Sequence, residues 1–394
     1  MLPKNKFFFI IIILLLYFSA LASFNDSLNV IALYVALPIA FLISFMQELK
    51  IKVNVYLGIL LLLYLWVLFT TLFSVNIDIS IGQLKQILGC ILLCYVLSTQ
   101  VKNPKLVIWL YLVYVVLYIS TMEYAVNNIM STMIELGGRE RVNDDKLNAN
   151  TIAYFTFFLT FVVFILGEIL KSYKLKRIFQ LLFFATIPLS FWVAIITASR
   201  QVLILQVPLI LVLLYLRYVK YGGVKSKFFI ITVFVILFIY SAGYVINEYE
   251  GSFLAKRSEV AITDDNRFLL VKESIEIGLN NLFVGVGPAC VKFFTTEKAF
   301  AHNTFLELFA GTGIVGMIIY IRLIWVYFSN QIRRYKYTKD KMFMYFIIFG
   351  CFYLLDQIFF SFYNSLWLIG FFILVASHSE MYYNVKDQKI IKTR

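Results

Sequence analysis

Phe7-Phe-Phe-Ile-Ile-Ile-Ile-Leu-Leu-Leu-Tyr-Phe-Ser-Ala-Leu-Ala-Ser23 decides the fold class, because it runs without a single charge. At about 1.5 Å per residue, such a stretch wound as a helix approaches the ~30 Å of a bilayer's hydrocarbon core. The basic Met1-Leu-Pro-Lys-Asn-Lys6 before it resembles the start of a signal peptide. No convincing small-x-small cleavage site follows and further apolar runs come at once, so we expect a retained anchor. Those runs lie at 29–46, 53–73, 81–98, 106–122, 151–170, 178–198, 201–216, 228–246, 302–328, 342–361 and 365–379. The expectation is an all-α integral membrane protein, a single polytopic domain over 1–394 with twelve transmembrane helices. Composition agrees: 61% hydrophobic and 14% charged residues exclude a water-soluble globule. Forty Phe and 26 Tyr exclude a disordered chain.

The net charge of +13 has to be placed before it is interpreted. Of the 35 Lys and Arg, 23 fall in the tails and alternate connections at 1–6, 47–52, 99–105, 171–177, 217–227, 329–341 and 380–394. The intervening short connections, Ser23 to Leu28 and Ser74 to Ser80, carry none. By the positive-inside rule the basic clusters and both termini are cytoplasmic. The charge is therefore topological, with anionic lipid heads as a further contact for Lys171 to Arg177, and nucleic acid is not a partner.

Two external loops are long, 123–150 and 247–301, and long loops are where function concentrates. Neither is a basic arm: the first carries three bases among five acids, the second six bases among eight. Of the four Cys only Cys290 lies outside the spans on that face, so no disulfide and no zinc spacing is expected. Within the second loop, Phe268, Val271, Ile275 and Leu279 recur at helical spacing behind Asp264-Asp-Asn266. This pattern predicts an amphipathic helix on the outer membrane surface. Gly285-Val-Gly-Pro288 then breaks the chain before it returns to the membrane.

Charge inside a membrane is costly, so embedded cations need a reason. Arg200 sits in the tight turn Thr197-Ala-Ser-Arg-Gln201, Lys85 one turn inside the external end of its span, and Arg322 toward an inner end. For Arg200 and Lys85, snorkelling to lipid phosphates is the plain alternative to function, and Arg322 is read as snorkelling to the cytoplasmic side. His302 opens the run Ala301-His-Asn-Thr-Phe-Leu-Glu-Leu-Phe-Ala-Gly-Thr-Gly-Ile-Val-Gly316 at the outer face, and an imidazole titrates near neutrality. Gly311, Gly313 and Gly316 are expected to let a neighbouring helix approach this span closely. His378, in Ser377-His-Ser379, reads as interfacial.

His302-Asn303 followed after nine residues by Gly313-x-x-Gly316 resembles the signature of the O-antigen polymerase and ligase family of bacterial membrane glycosyltransferases. Ser199-Arg200 is similar to that family's Ser-Arg turn, with Gln201 where Gly is frequent. Arg141-Val-Asn143 with Asn148-Ala-Asn150 resembles its Arg plus Asn-Pro-Asn element, with Ala149 in the place of Pro. Asn266-Arg267 opening the amphipathic helix, and Gly285-Val-Gly287 ahead of the histidine, also fit. The resemblance covers roughly 139–320 and keeps the family's order.

The resemblance implies a GT-C-like fold and transfer of a glycan from an undecaprenyl-pyrophosphate donor to an acceptor hydroxyl, on the periplasmic or external face of a bacterial inner membrane. It implies His302 as the base, Arg200 and Arg267 as pyrophosphate ligands, and Arg141 as a looser one. Lys85 joins them only through its depth in the membrane. Guanidinium forks match phosphate oxygens and stay ionised, so no metal or other cofactor is expected. The acidic pairs Asp144-Asp145, Glu248 with Glu250, and Asp264-Asp265 read as caps or solvated faces. The leading expectation is polymerisation of repeat units into O-antigen or capsule, with a chain-length regulator as a further partner. An O-antigen ligase or O-oligosaccharyltransferase is the alternative within the chemistry. A lipid-linked oligosaccharide flippase is the alternative of another class, but it calls for broken helices in matching halves and charges near the midplane.

Overall fold

Several helices of this protein begin on a side chain that accepts their free N–H groups. The Asn54 side chain accepts from the Leu57 N–H at 2.8 Å, Asn76 from Ile79 at 3.2 Å and Asp340 from Met342 at 2.8 Å. Each thereby satisfies a donor that the helix cannot. The computed structural model describes residues 3–23, 25–48, 53–102, 106–124, 149–196, 200–221 and 266–393, and all regular structure among them is helical. The helices are α1 (Pro3–Ala22), α2 (Asp26–Ile31), α3 (Leu37–Glu48), α4 (Val55–Thr71), α5 (Ile77–Gln100), α6 (Val107–Tyr124) and α7 (Ala149–Ile169). They continue as α8 (Tyr173–Ile196), α9 (Arg200–Leu214), α10 (Asn266–Asn280), α11 (Thr304–Thr338), α12 (Lys341–Phe359) and α13 (Leu366–Thr393). A π turn, Ala32–Ala36, joins α2 to α3, and a second, Tyr215–Lys220, extends α9.

Among the described residues, seven helical segments are long and apolar enough to cross a membrane, and three more apolar helices are somewhat shorter. The protein is thus an all-helical, multi-pass membrane protein. The expected span at 228–246 lies outside the described residues, as do 125–148 and 247–265 of the two long loops. Arg141 and the acidic pairs of those loops lie there too.

The chain divides into two compact units. The first comprises Met1–Ser19, Val30–Leu110 and Ile262–Arg394. Its interior is built on aromatic rings. Tyr353 stacks on Phe372 with ring centres 4.6 Å apart, Tyr327 meets the same ring at 4.7 Å, and the Tyr327 hydroxyl donates to the Phe346 carbonyl at 2.6 Å. This explains the surplus of Phe and Tyr: large flat side chains fill the space between helices while a hydroxyl finds a backbone acceptor. His378, expected at the interface, is instead packed inside against Phe346. Its flanking serines explain the difference. Ser377 accepts from Asn54, while Ser379 accepts from Arg334 and donates to Gln331, so the whole tripeptide faces inward.

The second unit comprises Ala20–Asn29 and Tyr111–Ala261. The Gln206 amide of α9 donates to Thr160 of α7 at 2.8 Å and to Ser190 of α8 at 3.0 Å, tying three helices by one side chain. Arg217 is more than a loop base. It pairs with Glu168 at 2.9 Å, with both side chains almost fully buried, and lies over the Phe164 ring.

Candidate functional site

In the first unit a broken helix meets a returning loop. The run 302–328 reads as one continuous span, but α11 is two helices, 304–312 and 314–338, separated by Gly313 at φ 74, ψ −178. Fifteen residues of straight helix would hold Phe305 and Tyr320 about 22 Å apart along the axis. Their ring centres are 6.0 Å apart, so the first segment bends sharply back toward the second.

The break frees backbone groups, and the loop after α10 takes them up. Ile314 N–H donates to the Leu282 carbonyl at 2.8 Å, while the Ala310 and Gly311 carbonyls accept from Val286 and Gly287, each at 2.9 Å. The Thr312 carbonyl accepts from the indole N–H of Trp66, on α4, at 2.8 Å. The polar groups opened by the kink are thus paired, as burial requires. The glycines are dictated by this contact. Gly313 adopts a conformation open to glycine alone, and a side chain there would overlap the Phe283 carbonyl. Gly285 and Gly287 also have positive φ, and a Cβ on them would strike Gly311 and Ser74. Here the sequence reading is corrected: Gly311 and Gly313 receive a loop, not a helix. Gly316 does admit one, since its missing side chain makes room for Thr312 and for Trp66.

Immediately before the short helix, His302 is partly buried and held at φ 52. A positive φ is uncommon for any residue with a Cβ. Asn303 caps the helix: its side-chain oxygen, Oδ1, accepts from Phe305 N–H at 2.9 Å and Leu306 N–H at 3.0 Å. The Asn303 amide donates to the Ile358 carbonyl at 3.1 Å. The Thr304 hydroxyl donates to the Phe360 carbonyl and accepts from Phe362 N–H, both at 2.9 Å. The turn that carries His302 is therefore tied to the end of α12. Two acids that the sequence reading passed over stand here. Glu307 is 6% exposed, and its carboxylate accepts from the Ser361 hydroxyl at 2.6 Å and from the His302 backbone. Asp356 is fully buried, and neither of its oxygens has a partner among the described residues. The signal for both in the sequence is an acid inside an apolar run.

The other expected site residues are distributed. Arg267 is the second residue of α10, in the first unit, and Arg200 the first residue of α9, in the second. Their side chains, like all of Arg141, lie outside what is described. Lys85 is exposed, whereas Ser80, five residues earlier on α5, is buried and donates to the Pro288 carbonyl at 2.8 Å. Lys85 thus shares a helix with the loop contact but points from another face of it. α10 is amphipathic as expected, with Phe268 and Leu279 58% and 64% exposed. Its opposite face, Leu270, Ser274, Ile277 and Gly278, packs inward. Cys290 is a buried free thiol beside Ser74, at 3.2 Å. Among the described residues no three His, Cys, Asp or Glu side chains converge as a metal site.

Residues 184–321 match the family model described as O-antigen ligase. That segment runs from the middle of α8 through Arg200, α10 with Arg267, and the glycine loop to His302, Asn303 and Gly316. Arg141 and Lys85 fall outside it. Comparison with curated proteins returns no match.

Proposed function

We propose, starting from this O-antigen ligase family segment, that the protein polymerises undecaprenyl-pyrophosphate-linked repeat units into a surface polysaccharide, O-antigen or capsule. The observation that carries the reading is the family match itself, which spans Arg200, Arg267 and His302 in one stretch. It supports a glycosyltransferase-type membrane enzyme of polysaccharide assembly. In our reading the acceptor hydroxyl gives its proton to the His302 imidazole as its oxygen attacks the anomeric carbon. The bond from that carbon to the pyrophosphate oxygen breaks, and undecaprenyl pyrophosphate leaves. Arg200 and Arg267 stabilise the growing charge on the leaving group, with Arg141 and Lys85 as further cations.

The reading places this chemistry on the external face of the cytoplasmic membrane, with both termini inside. It takes the described apolar helices, α9 and the run at 228–246 as twelve spans in a GT-C-like arrangement. A chain-length regulator is a further partner. The description of the matching family favours one second reading, a ligase that passes the glycan to a lipid core or a protein. The lipid-linked glycan that accumulates in a strain lacking this protein separates the readings. Single repeat units on the outer face support the polymerase, and full-length unattached polymer the ligase. Units retained on the cytoplasmic face would indicate a flippase and overturn both.

A further inference from the structure

His302 has a positive φ, which residues with a Cβ adopt only uncommonly, so contacts around it have to favour that conformation. Beside the ties of Asn303 and Thr304 to the end of α12, a buried carboxylate bonds the His302 backbone directly. Glu307 lies in the first turn of the short helix 304–312, and its carboxylate accepts from the His302 backbone just before that turn. It also accepts from the hydroxyl of Ser361, which sits between the two residues that hold Thr304, Phe360 and Phe362. A carboxylate in so apolar a place is costly unless hydrogen bonds compensate it. The helix cap does not need it, because Asn303 already accepts from Phe305 and Leu306. The carboxylate therefore serves the residue before the cap, which is His302.

We infer that Glu307 is the positioning residue of the site: it clamps the His302 turn against Ser361 and so aims the imidazole at the acceptor hydroxyl. The inference rests on His302 being the base. Glu307 itself touches no reacting atom. Its effect is on the geometry of proton transfer, and misplacement of a reacting group by about 1 Å can cost on the order of a hundredfold in rate.

The test uses the purified full-length protein and lipid-linked oligosaccharide extracted from a strain lacking it. Glu307→Ala and Glu307→Asp, the second keeping the charge but falling one methylene short, are expected to lower kcat at least about tenfold with the donor KM within about twofold. Glu307→Gln keeps an oxygen for the His302 N–H and is expected to restore kcat to within about threefold of wild type. Ser361→Ala removes the second anchor and is expected to lower kcat by a smaller factor, again without moving KM. A role confined to holding the fold would instead lower the yield and melting temperature of Glu307→Asp while leaving kcat per folded molecule unchanged. That result, or wild-type kcat in both Glu307→Asp and Ser361→Ala, overturns the inference. His302→Ala is run beside them. If it is inactive while the Glu307 and Ser361 variants are normal, only the positioning role fails. If it turns over at the wild-type rate, the base assignment fails and takes the positioning role with it. Should Glu307→Ala not fold, the Asp, Gln and Ser361 variants decide the matter alone.

Discussion

Phe309 rests on Gly278 where α10 crosses the short helix of α11, and no Cβ fits between the ring and the glycine. We predict that Gly278→Ala, which forces the buried Phe309 ring to shift, destabilises the protein by about 1 to 3 kcal/mol. Adding Phe309→Leu should recover part of the loss, because the two residues share one contact. Thermal unfolding in detergent measures both. Strictly additive effects of the two changes would show that the contact does not hold α10 to α11.

The glycines of α11 should differ in cost. Gly313→Ala meets both a forbidden backbone conformation and the Phe283 carbonyl, whereas Gly316→Ala meets the Thr312 side chain and the edge of Trp66. Strain at a position like Gly313 costs of order 1 to 3 kcal/mol before any overlap is counted. The melting temperature should therefore fall further for Gly313→Ala. Equal or reversed losses would mean that the helix reversal is not what the glycine secures.

His302 and the arginines should fail differently. His302→Ala removes the proton acceptor and is expected to lower turnover by about 10² to 10⁴ while donor binding persists. Arg200→Ala and Arg267→Ala should weaken donor binding and turnover together, and Lys should substitute poorly because it lacks the bidentate fork. Binding of extracted lipid-linked donor, measured beside turnover, checks the distinction. Tight donor binding by both arginine variants would remove the pyrophosphate role.

Transfer is expected to proceed without a divalent ion, since fixed guanidinium groups can neutralise the leaving pyrophosphate. Purified protein should elongate glycan at an unchanged rate in excess EDTA. If EDTA stops the reaction and magnesium or manganese restores it, Glu248, Glu250, Asp264 and Asp265 become the first candidates for ligands.

The segment 314–338 is about 37 Å long at 1.5 Å per residue, enough to cross the hydrocarbon core. Exposed Glu297 and exposed Tyr337 should accordingly lie on opposite sides of the membrane. In a protein freed of its four native cysteines, a cysteine at 297 should react with an impermeant reagent in intact cells. One at 337 should react only after permeabilisation. The reverse pattern would invert the assigned orientation.

What could be read without coordinates was whatever depends on local composition and spacing. An uncharged run of spanning length needs no tertiary partner to be a helix in lipid, so the class of fold was legible at Phe7 to Ser23. His302, Asn303 and the glycines of α11 were legible because their types and intervals sit within one stretch of chain. The helical spacing of Phe268, Val271, Ile275 and Leu279 was legible too, since the period of a helix is local, and α10 leaves Phe268, Ile275 and Leu279 exposed.

The tertiary structure decided what those residues meet. Three glycines at 311, 313 and 316 are compatible with a helix, a loop or a kink. The loop at 282–287, bonding the carbonyls of Ala310 and Gly311, selects the kink. His378 reads the same whether it faces lipid or protein, and only the partners of Ser377 and Ser379 turn it inward. Glu307 in sequence is an acid in an apolar run. Its place behind His302 arises because the end of α12, more than fifty residues away, returns Ser361 to within 2.6 Å of its carboxylate. Hydrophobic periodicity acts over one or two turns, but the pairing of a buried polar group depends on whichever distant segment can reach it.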